Sequence, residues 1–87
     1  MTYTSRMKLT NSRVRAQMHH RNLTQTAFAH MRGVSRPLIS QKLSGMVRWT
    51  EEDYYFMSRL FGCSVDYLMG LSDEPKINEA VPFQVRA

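Results

Sequence analysis

The segment LTQTAFAHMRGVSRPLISQKLSG, residues 23–45, carries the signals for two short helices joined by a tight turn. Thr24 can cap the first helix, and Gly33 permits the left-handed conformation that commonly ends a helix. The apolar positions of this helix, spaced to form one face, are Ala27, Phe28 and Met31. The pattern therefore predicts a short amphipathic helix between Thr24 and Gly33.

The second helix of the pair follows Ser35, a favourable N-cap residue, and has Pro37 in its first turn, where the missing N–H costs little. Ile39 and Leu43 are spaced to face the core, and the helix should end at residues 44–45. The other positions would lie largely outside the core face and include no acid. They are Arg36, Pro37, Ser40, Gln41, Lys42 and Ser44.

The flanking sequence predicts three further helices, so the expected fold class is all-α, a compact domain of five helices. The domain would span residues 11–72, after an extended or flexible N-terminal arm over residues 1–10. The added helices are one from residue 11 or 12 to Asn22, one from Thr50 to Gly62 in which Asp53 can complete a capping box, and one from Ser64 to Gly70.

Residues 73–87 are expected to form a C-terminal tail. Val81, Phe83 and Val85 alternate in it, as in a short strand, but Pro82 would confine such a strand to a sheet edge. A disordered tail is the alternative, and the sequence leaves both open.

Charges are segregated along the chain, because the first acidic residue is Glu51. Residues 1–50 contain nine lysines and arginines, whereas residues 51–87 contain three of them and all seven acids. This asymmetry predicts a polyanionic partner for the first half of the chain. Nucleic acid is the simplest such partner, and an anionic membrane surface is the alternative.

Chain length and cysteine content restrict the class of protein. A chain of 87 residues accommodates one small domain, which excludes a multidomain enzyme. Cys63 is the only cysteine, so no internal disulfide can form and a reducing cytoplasm would suit the protein. No apolar run approaches the ~20 residues of a membrane helix. We therefore expect a cytoplasmic protein without membrane association.

The residues with reactive or metal-binding side chains favour structural interpretations. The histidines lack an i, i+4 pair, so a metal site is not expected. Cys63 precedes the last predicted helix, which favours a buried thiol over a nucleophile. With no catalytic motif, neither an enzyme nor a cofactor is expected. The cations of the first helix are interpreted as a solvated face; they are Arg13, Arg15 and Arg21.

The two-helix segment of residues 23–45 resembles the helix-turn-helix of the lambda repressor and Cro family, also called the Xre family. A second stretch, GCSVDYLMG at residues 62–70, is similar to the fifth helix of that family. The resemblance covers roughly residues 12–72. It implies the five-helix fold of the family and a helix-turn-helix at residues 24–44 whose second helix lies in the major groove of DNA.

The resemblance also implies roles for individual residues. Gln25 matches the family glutamine that touches a phosphate and braces the recognition helix. Ser35 would contact phosphate through a backbone N–H or its hydroxyl, and Pro37 stiffens the start of the recognition helix while removing one N–H. Base readout would fall to Arg36, Leu38, Ser40 and Gln41, with Arg36 suited to guanine. Phosphate and sugar contacts would come from Lys42, Ser44 and Arg48.

These implications lead to the expectation of a sequence-specific regulator of transcription, a phage-type repressor or Cro-like switch protein. It would bind a double-stranded operator as a homodimer, with the dimer contact in the fifth helix and the tail. One alternative is a DNA-binding antitoxin whose tail wraps a toxin partner. Another is a phage protein that uses the fold to bind a host protein.

Overall fold

Five helices make up the regular structure of residues 2–76, the part that the computed structural model describes, apart from the side chain of Tyr3. In chain order they are α1 (Tyr3–His20), α2 (Gln25–Arg32), α3 (Arg36–Leu43), α4 (Glu51–Phe61) and α5 (Val65–Met69). These residues contain no strand, so the all-α class is confirmed over this range. No helix in it is long and apolar enough to cross a membrane. The alternating Val81, Phe83 and Val85 lie outside the described residues.

Hydroxyl side chains begin all five helices. Each N-cap hydroxyl accepts a hydrogen bond from the backbone N–H three residues later, which satisfies a donor that the helix itself cannot. The caps are Thr2, Thr24, Ser35, Thr50 and Ser64. At α4 the capping box is complete, because the carboxylate of Asp53 accepts from the backbone N–H of Thr50. The four caps predicted from the sequence are confirmed.

The prediction of an extended or flexible arm over residues 1–10 is wrong for its described part, because α1 already begins at Tyr3. Thr10 is buried, with 2% of its surface exposed, and Leu9 lies against Gly70 at the end of α5. The early turns of α1 therefore belong to the packed domain. The sequence pattern did not indicate these turns, because the polar side chain of Thr10 occupies a buried position and interrupts the apolar period.

Phe28 of α2 occupies the centre of the core and is fully buried. Its ring centroid lies 5.8 Å from that of Phe56, 6.1 Å from Trp49 and 6.2 Å from Phe61, within the range of favourable aromatic contacts. All five helices contribute to the buried apolar cluster, which comprises Val14, Met18, Phe28, Ala29, Ile39, Leu43, Met57, Phe61, Cys63 and Leu68. The helices are thus assembled around a single core.

Arg13 holds the segment that follows α5 against α1. Its guanidinium donates to the backbone carbonyls of Tyr67 and Ser72, pairs with Asp73 at 2.9 Å, and lies over the Tyr67 ring at 3.9 Å from its centroid. Only 12% of the Arg13 side chain is exposed. The interpretation of Arg13 as part of a solvated face is therefore wrong. The partners that bury it lie more than 50 residues away, so local spacing could not reveal them.

The two turns that flank α2 allow a matched test of backbone strain. Gly33 has φ +81°, and Asn22, after α1, has φ +53°. We expect Gly33→Ala to lower the free energy of unfolding by about 1–2 kcal/mol, because a β-carbon is disfavoured in the left-handed region. Asn22→Gly removes the strain of an existing side chain, so it should destabilise far less. Urea unfolding followed by circular dichroism measures both, and equal losses would contradict this account.

Candidate functional site

Helix α3 has one buried face and one outward face. Ile39, Lys42 and Leu43 are buried, and Leu38 is half-buried at the border between the faces. The outward positions span an arc of about 140° at 3.6 residues per turn. They are Arg36, Pro37, Ser40, Gln41 and Ser44, of which Ser40 is half-buried and the others are exposed. This arc carries a cation and several hydrogen-bonding groups, and it contains no acid.

The turn between α2 and α3 fixes where this arc is presented. The backbone N–H groups of Gly33 and Val34 both donate to the carbonyl of Ala29, at 2.8 and 3.0 Å, which closes the end of α2. Ala29 itself is buried, with 3% of its surface exposed. Ser35 then starts α3 with its hydroxyl on the N–H of Leu38, and it remains exposed beside Arg36. A tight turn of this kind leaves little freedom between the two helices.

The loop after α3 is tied to the helix it follows. The carbonyl of Gln41 accepts hydrogen bonds from the backbone N–H groups of Met46 and Val47, at 2.9 and 3.2 Å. Further along, Trp49 donates from Nε1 to Oδ1 of Asn11 at 2.6 Å, which anchors the loop to α1. Arg48 lies between these anchors and is exposed. The predicted contact residue Arg48 is therefore carried by an ordered loop.

Lys42 does not lie on the outward face, and this part of the predicted site is wrong. Only 5% of Lys42 is exposed, and its ammonium group forms a salt bridge with Asp53 at the first turn of α4. The ammonium also lies 5.8 Å from the centre of the Trp49 ring. A buried ammonium paired with a carboxylate cannot reach a phosphate. The polar character of Lys42 suggested exposure, whereas its partner lies 11 residues away in another helix.

Asp53 collects hydrogen bonds from three parts of the fold. Besides Lys42, it accepts from Nε of Arg32 at 2.9 Å and from the backbone N–H of Thr50 at 2.9 Å. Burial alone would raise the pKa of this carboxyl, but the hydrogen bonds from Lys42, Thr50 and Arg32 outweigh burial and hold the pKa below its ordinary value. Asp53 is therefore a buried carboxylate, matched by two cations from α2 and α3.

Gln25, at the first position of α2, is half-buried, and it lines a shallow hollow together with Arg15 of α1 and Leu43 of α3. Its side-chain oxygen is buried and has no hydrogen-bond partner among the described residues. Within residues 2–76, this oxygen therefore makes no hydrogen bond that would brace α3. The exposed Arg15 donates weakly, at 3.4 Å, to the carbonyl of Leu43. Arg15 is therefore a contact candidate, although its position on α1 had indicated only a solvated face.

The helix N-termini differ in their local charge. The first turns of α2 and α3 contain no acid, whereas α4 has Glu51, Glu52 and Asp53 in its first turn. The unpaired N–H groups at a helix N-terminus carry partial positive charge and attract anions. The starts of α2 and α3 retain this attraction, while the start of α4 is neutralised by its own carboxylates. The first turn of α1 also contains no acid, so two of these three acid-free helix starts belong to the pair α2–α3.

Metal ligands and a nucleophilic cysteine are the two other kinds of reactive site that side chains of residues 2–76 could form. No group of three or more His, Cys, Asp or Glu side chains in residues 2–76 is placed to hold a metal ion. The thiol of Cys63 is buried, as expected, and burial raises its pKa. A raised pKa keeps the sulfur protonated, which is the opposite of what nucleophilic chemistry needs.

Comparison of the chain with protein-family models, with characterised proteins and with solved structures finds no match.

The buried carboxylate predicts how stability depends on pH. The pKa of Asp53 is lower in the folded than in the unfolded chain, so its stabilisation is fully present above the ordinary aspartate value of roughly 3.9. It is lost as the pH falls through the lowered folded pKa. We expect the urea midpoint of the wild type to fall across this acid range. Asp53→Asn should be less stable near neutral pH by about 3–5 kcal/mol and should lose less on acidification.

Glu52→Gln is the matched control for that experiment, because Glu52 precedes Asp53 on the same helix and its side chain is 87% exposed, so its 3.7 Å contact with Arg32 contributes little to stability. It removes the same charge without opening the buried pair, so its pH profile should follow the wild type. Parallel pH profiles for the wild type and Asp53→Asn would contradict the assignment.

Proposed function

We propose that the protein is a sequence-specific DNA-binding regulator whose recognition helix is α3. The observation that carries this proposal is the outward arc of α3, which presents Arg36, Ser40 and Gln41 next to a tight turn from α2. The second of two short helices joined by such a turn is the element that lies in the DNA major groove in helix-turn-helix proteins. The outward residues have the matching chemistry, because an arginine fork fits guanine and a glutamine amide fits adenine.

Electrostatics supports the same partner. All acids of the chain occur from Glu51 onward, and the start of the pair α2–α3 is free of acid in both helices. Phosphates flanking a groove would then meet the N-termini of α2 and α3, with Ser35, Ser44 and Arg48 as side-chain contacts. Arg15 and Gln25 line one hollow beside α3 and would contact a further phosphate. Lys42 is omitted from this set because it is buried.

The fold proposed for this domain is that of the lambda repressor and Cro family. The order of five helices, the left-handed Gly33 between α2 and α3, and the short α5 after Ser64 support that resemblance. In this setting the protein would act as a phage-type repressor or Cro-like switch protein that occludes polymerase at an operator.

A homodimer on a two-fold related operator would place two copies of α3 about 34 Å apart, one turn of DNA. Two exposed apolar side chains in the second half of the described chain are candidates for the contact, with Tyr55 56% and Leu71 62% exposed. Phe56 packs on Phe28, and Tyr67 lies beneath Arg13, so these two aromatic side chains belong to the fold and not to that contact.

Selection of bound duplexes from a random DNA pool tests the proposed function. We expect an enriched motif with two-fold symmetry, bound about 10³-fold or more above a scrambled duplex. An enriched motif without symmetry would retain DNA reading and exclude the dimer. No enrichment, with weak binding that disappears steeply with salt, would overturn sequence-specific binding. Protein partners, including those of the antitoxin alternative, would then be sought.

Arg36→Ala tests base reading by the recognition helix. It should cost about 1–3 kcal/mol on the selected duplex and relax the preference at one base pair. Arg59→Ala is the matched control, because it removes the same charge from an exposed position on α4. Fluorescence anisotropy titrations of the selected duplex and of single-base variants measure both proteins. Equal losses from the two substitutions would show that Arg36 supplies charge without reading sequence.

Arg48→Ala tests the phosphate contacts. Because a phosphate contact carries no base information, the substitution should weaken binding to selected and scrambled duplexes by similar factors. It should also reduce the slope of log affinity against log salt by about 1, since one fewer counterion-releasing contact is made. A loss confined to the selected duplex would instead assign Arg48 to base readout.

A further inference from the structure

The carboxylate of Asp53 joins three helices, α2, α3 and α4. It lies at the third position of α4, accepts from Arg32 at the last position of α2, and accepts from Lys42 near the end of α3. Only 1% of Asp53 is exposed. One buried anion therefore contacts both members of the helix-turn-helix pair as well as the helix that supports them.

The attachment points lie beside the proposed contact residues. Lys42 is the neighbour of Gln41 in sequence, and Arg32 immediately precedes Gly33. A rotation of α3 about its axis would carry the ammonium of Lys42 away from Asp53 while turning Gln41 relative to the DNA. Apolar contacts tolerate such a rotation better than an ion pair does, because hydrogen bonds require particular distances and angles.

We propose that Asp53 is a positioning residue that sets the orientation of α3, through Lys42 and Arg32, for sequence-specific DNA binding. This inference rests on the proposed function. Asp53 itself touches no DNA in this arrangement, since it is enclosed by the protein. Its effect on the duplex is transmitted by the two cations.

Stabilisation of the fold does not by itself explain a buried ion network such as that of Asp53, Lys42 and Arg32. The free-energy cost of removing two ions from water offsets much of their mutual attraction. Replacing a buried ion pair by uncharged residues is therefore often neutral for stability. Removing only one partner leaves an uncompensated buried charge, which is strongly destabilising. Orientation and stability can therefore be separated by comparing a single substitution at this network with a double one.

The single substitution is Asp53→Asn, compared with Glu52→Gln. Both changes remove one negative charge from the first turn of α4, so both make the protein more basic by the same amount. Long-range attraction to DNA would then rise equally in the two variants. We expect Asp53→Asn to bind the selected duplex about tenfold more weakly, the loss of roughly one base contact. Glu52→Gln loses only an exposed 3.7 Å contact with Arg32 and keeps the contacts of Asp53 with Arg32 and Lys42, so it should bind the duplex at least as well as the wild type.

The double substitution Lys42→Met with Asp53→Asn restores the original net charge and removes the unpaired ammonium. Thermal unfolding, followed by the fluorescence of Trp49, the only tryptophan, should show a melting temperature well above that of Asp53→Asn. The ratio of affinities for the selected and scrambled duplexes should nevertheless stay about tenfold below that of the wild type. All titrations are made at a temperature where each variant is folded.

Two outcomes would overturn the inference. Recovery of the wild-type affinity ratio in the double variant would show that the network acts only through stability. Equal binding by folded Asp53→Asn and Glu52→Gln would show that Asp53 does not position α3. In both cases the wild type still selects its duplex, and the proposed function stands. If the wild type itself prefers no duplex, it is the proposed function that fails.

Discussion

The carboxylate of Asp53 is the interaction on which the arrangement of α2, α3 and α4 depends. It completes the cap of α4 and pairs with both Arg32 and Lys42. Each of these groups would be costly to bury without the others, because an unpaired buried charge destabilises a fold strongly. The three helices therefore hold one another in place through a polar contact next to the aromatic cluster around Phe28. The apolar core supplies most of the buried surface, and the hydrogen bonds of Asp53 fix the relative orientation of α2, α3 and α4.

This arrangement lets eight residues of α3 serve two environments. Ile39 and Leu43 turn toward the core, and Lys42 turns toward Asp53, so the inward contacts of the helix lie on one side. The opposite side remains available to a partner without loss of packing. Pro37 and the Ser35 cap stabilise the beginning of the helix, although Pro37 removes one N–H from that outward side. A helix this short would be marginal alone, so its conformation depends on these tertiary contacts.

Much of the fold could be predicted from the sequence because its helix boundaries have local chemical signals. Caps such as Thr24 and Ser35, and the left-handed Gly33, act within four residues, so their effect can be inferred without the rest of the structure. The early turns of α1 lacked such a signal, since the buried Thr10 looks like a surface residue. In the candidate site, the exposure of Arg36 and Gln41 followed from the helical period, whereas the burial of Lys42 depended on a distant carboxylate.

The cations of the first half illustrate why charge counting identifies a class of partner and not the contacts. A summed charge acts at long range whether or not its members are paired within the protein, so the segregation of acids retains its meaning. Local contacts are different, because a cation that already has a partner in the fold is not available to a phosphate. Arg13 is held by Asp73 and Lys42 by Asp53, and both acids belong to the second half of the chain. In the folded protein, some cations of the first half of the chain are therefore paired with acids of the second half. The surface that contacts a polyanion has to be formed by cations that point outward, such as Arg36.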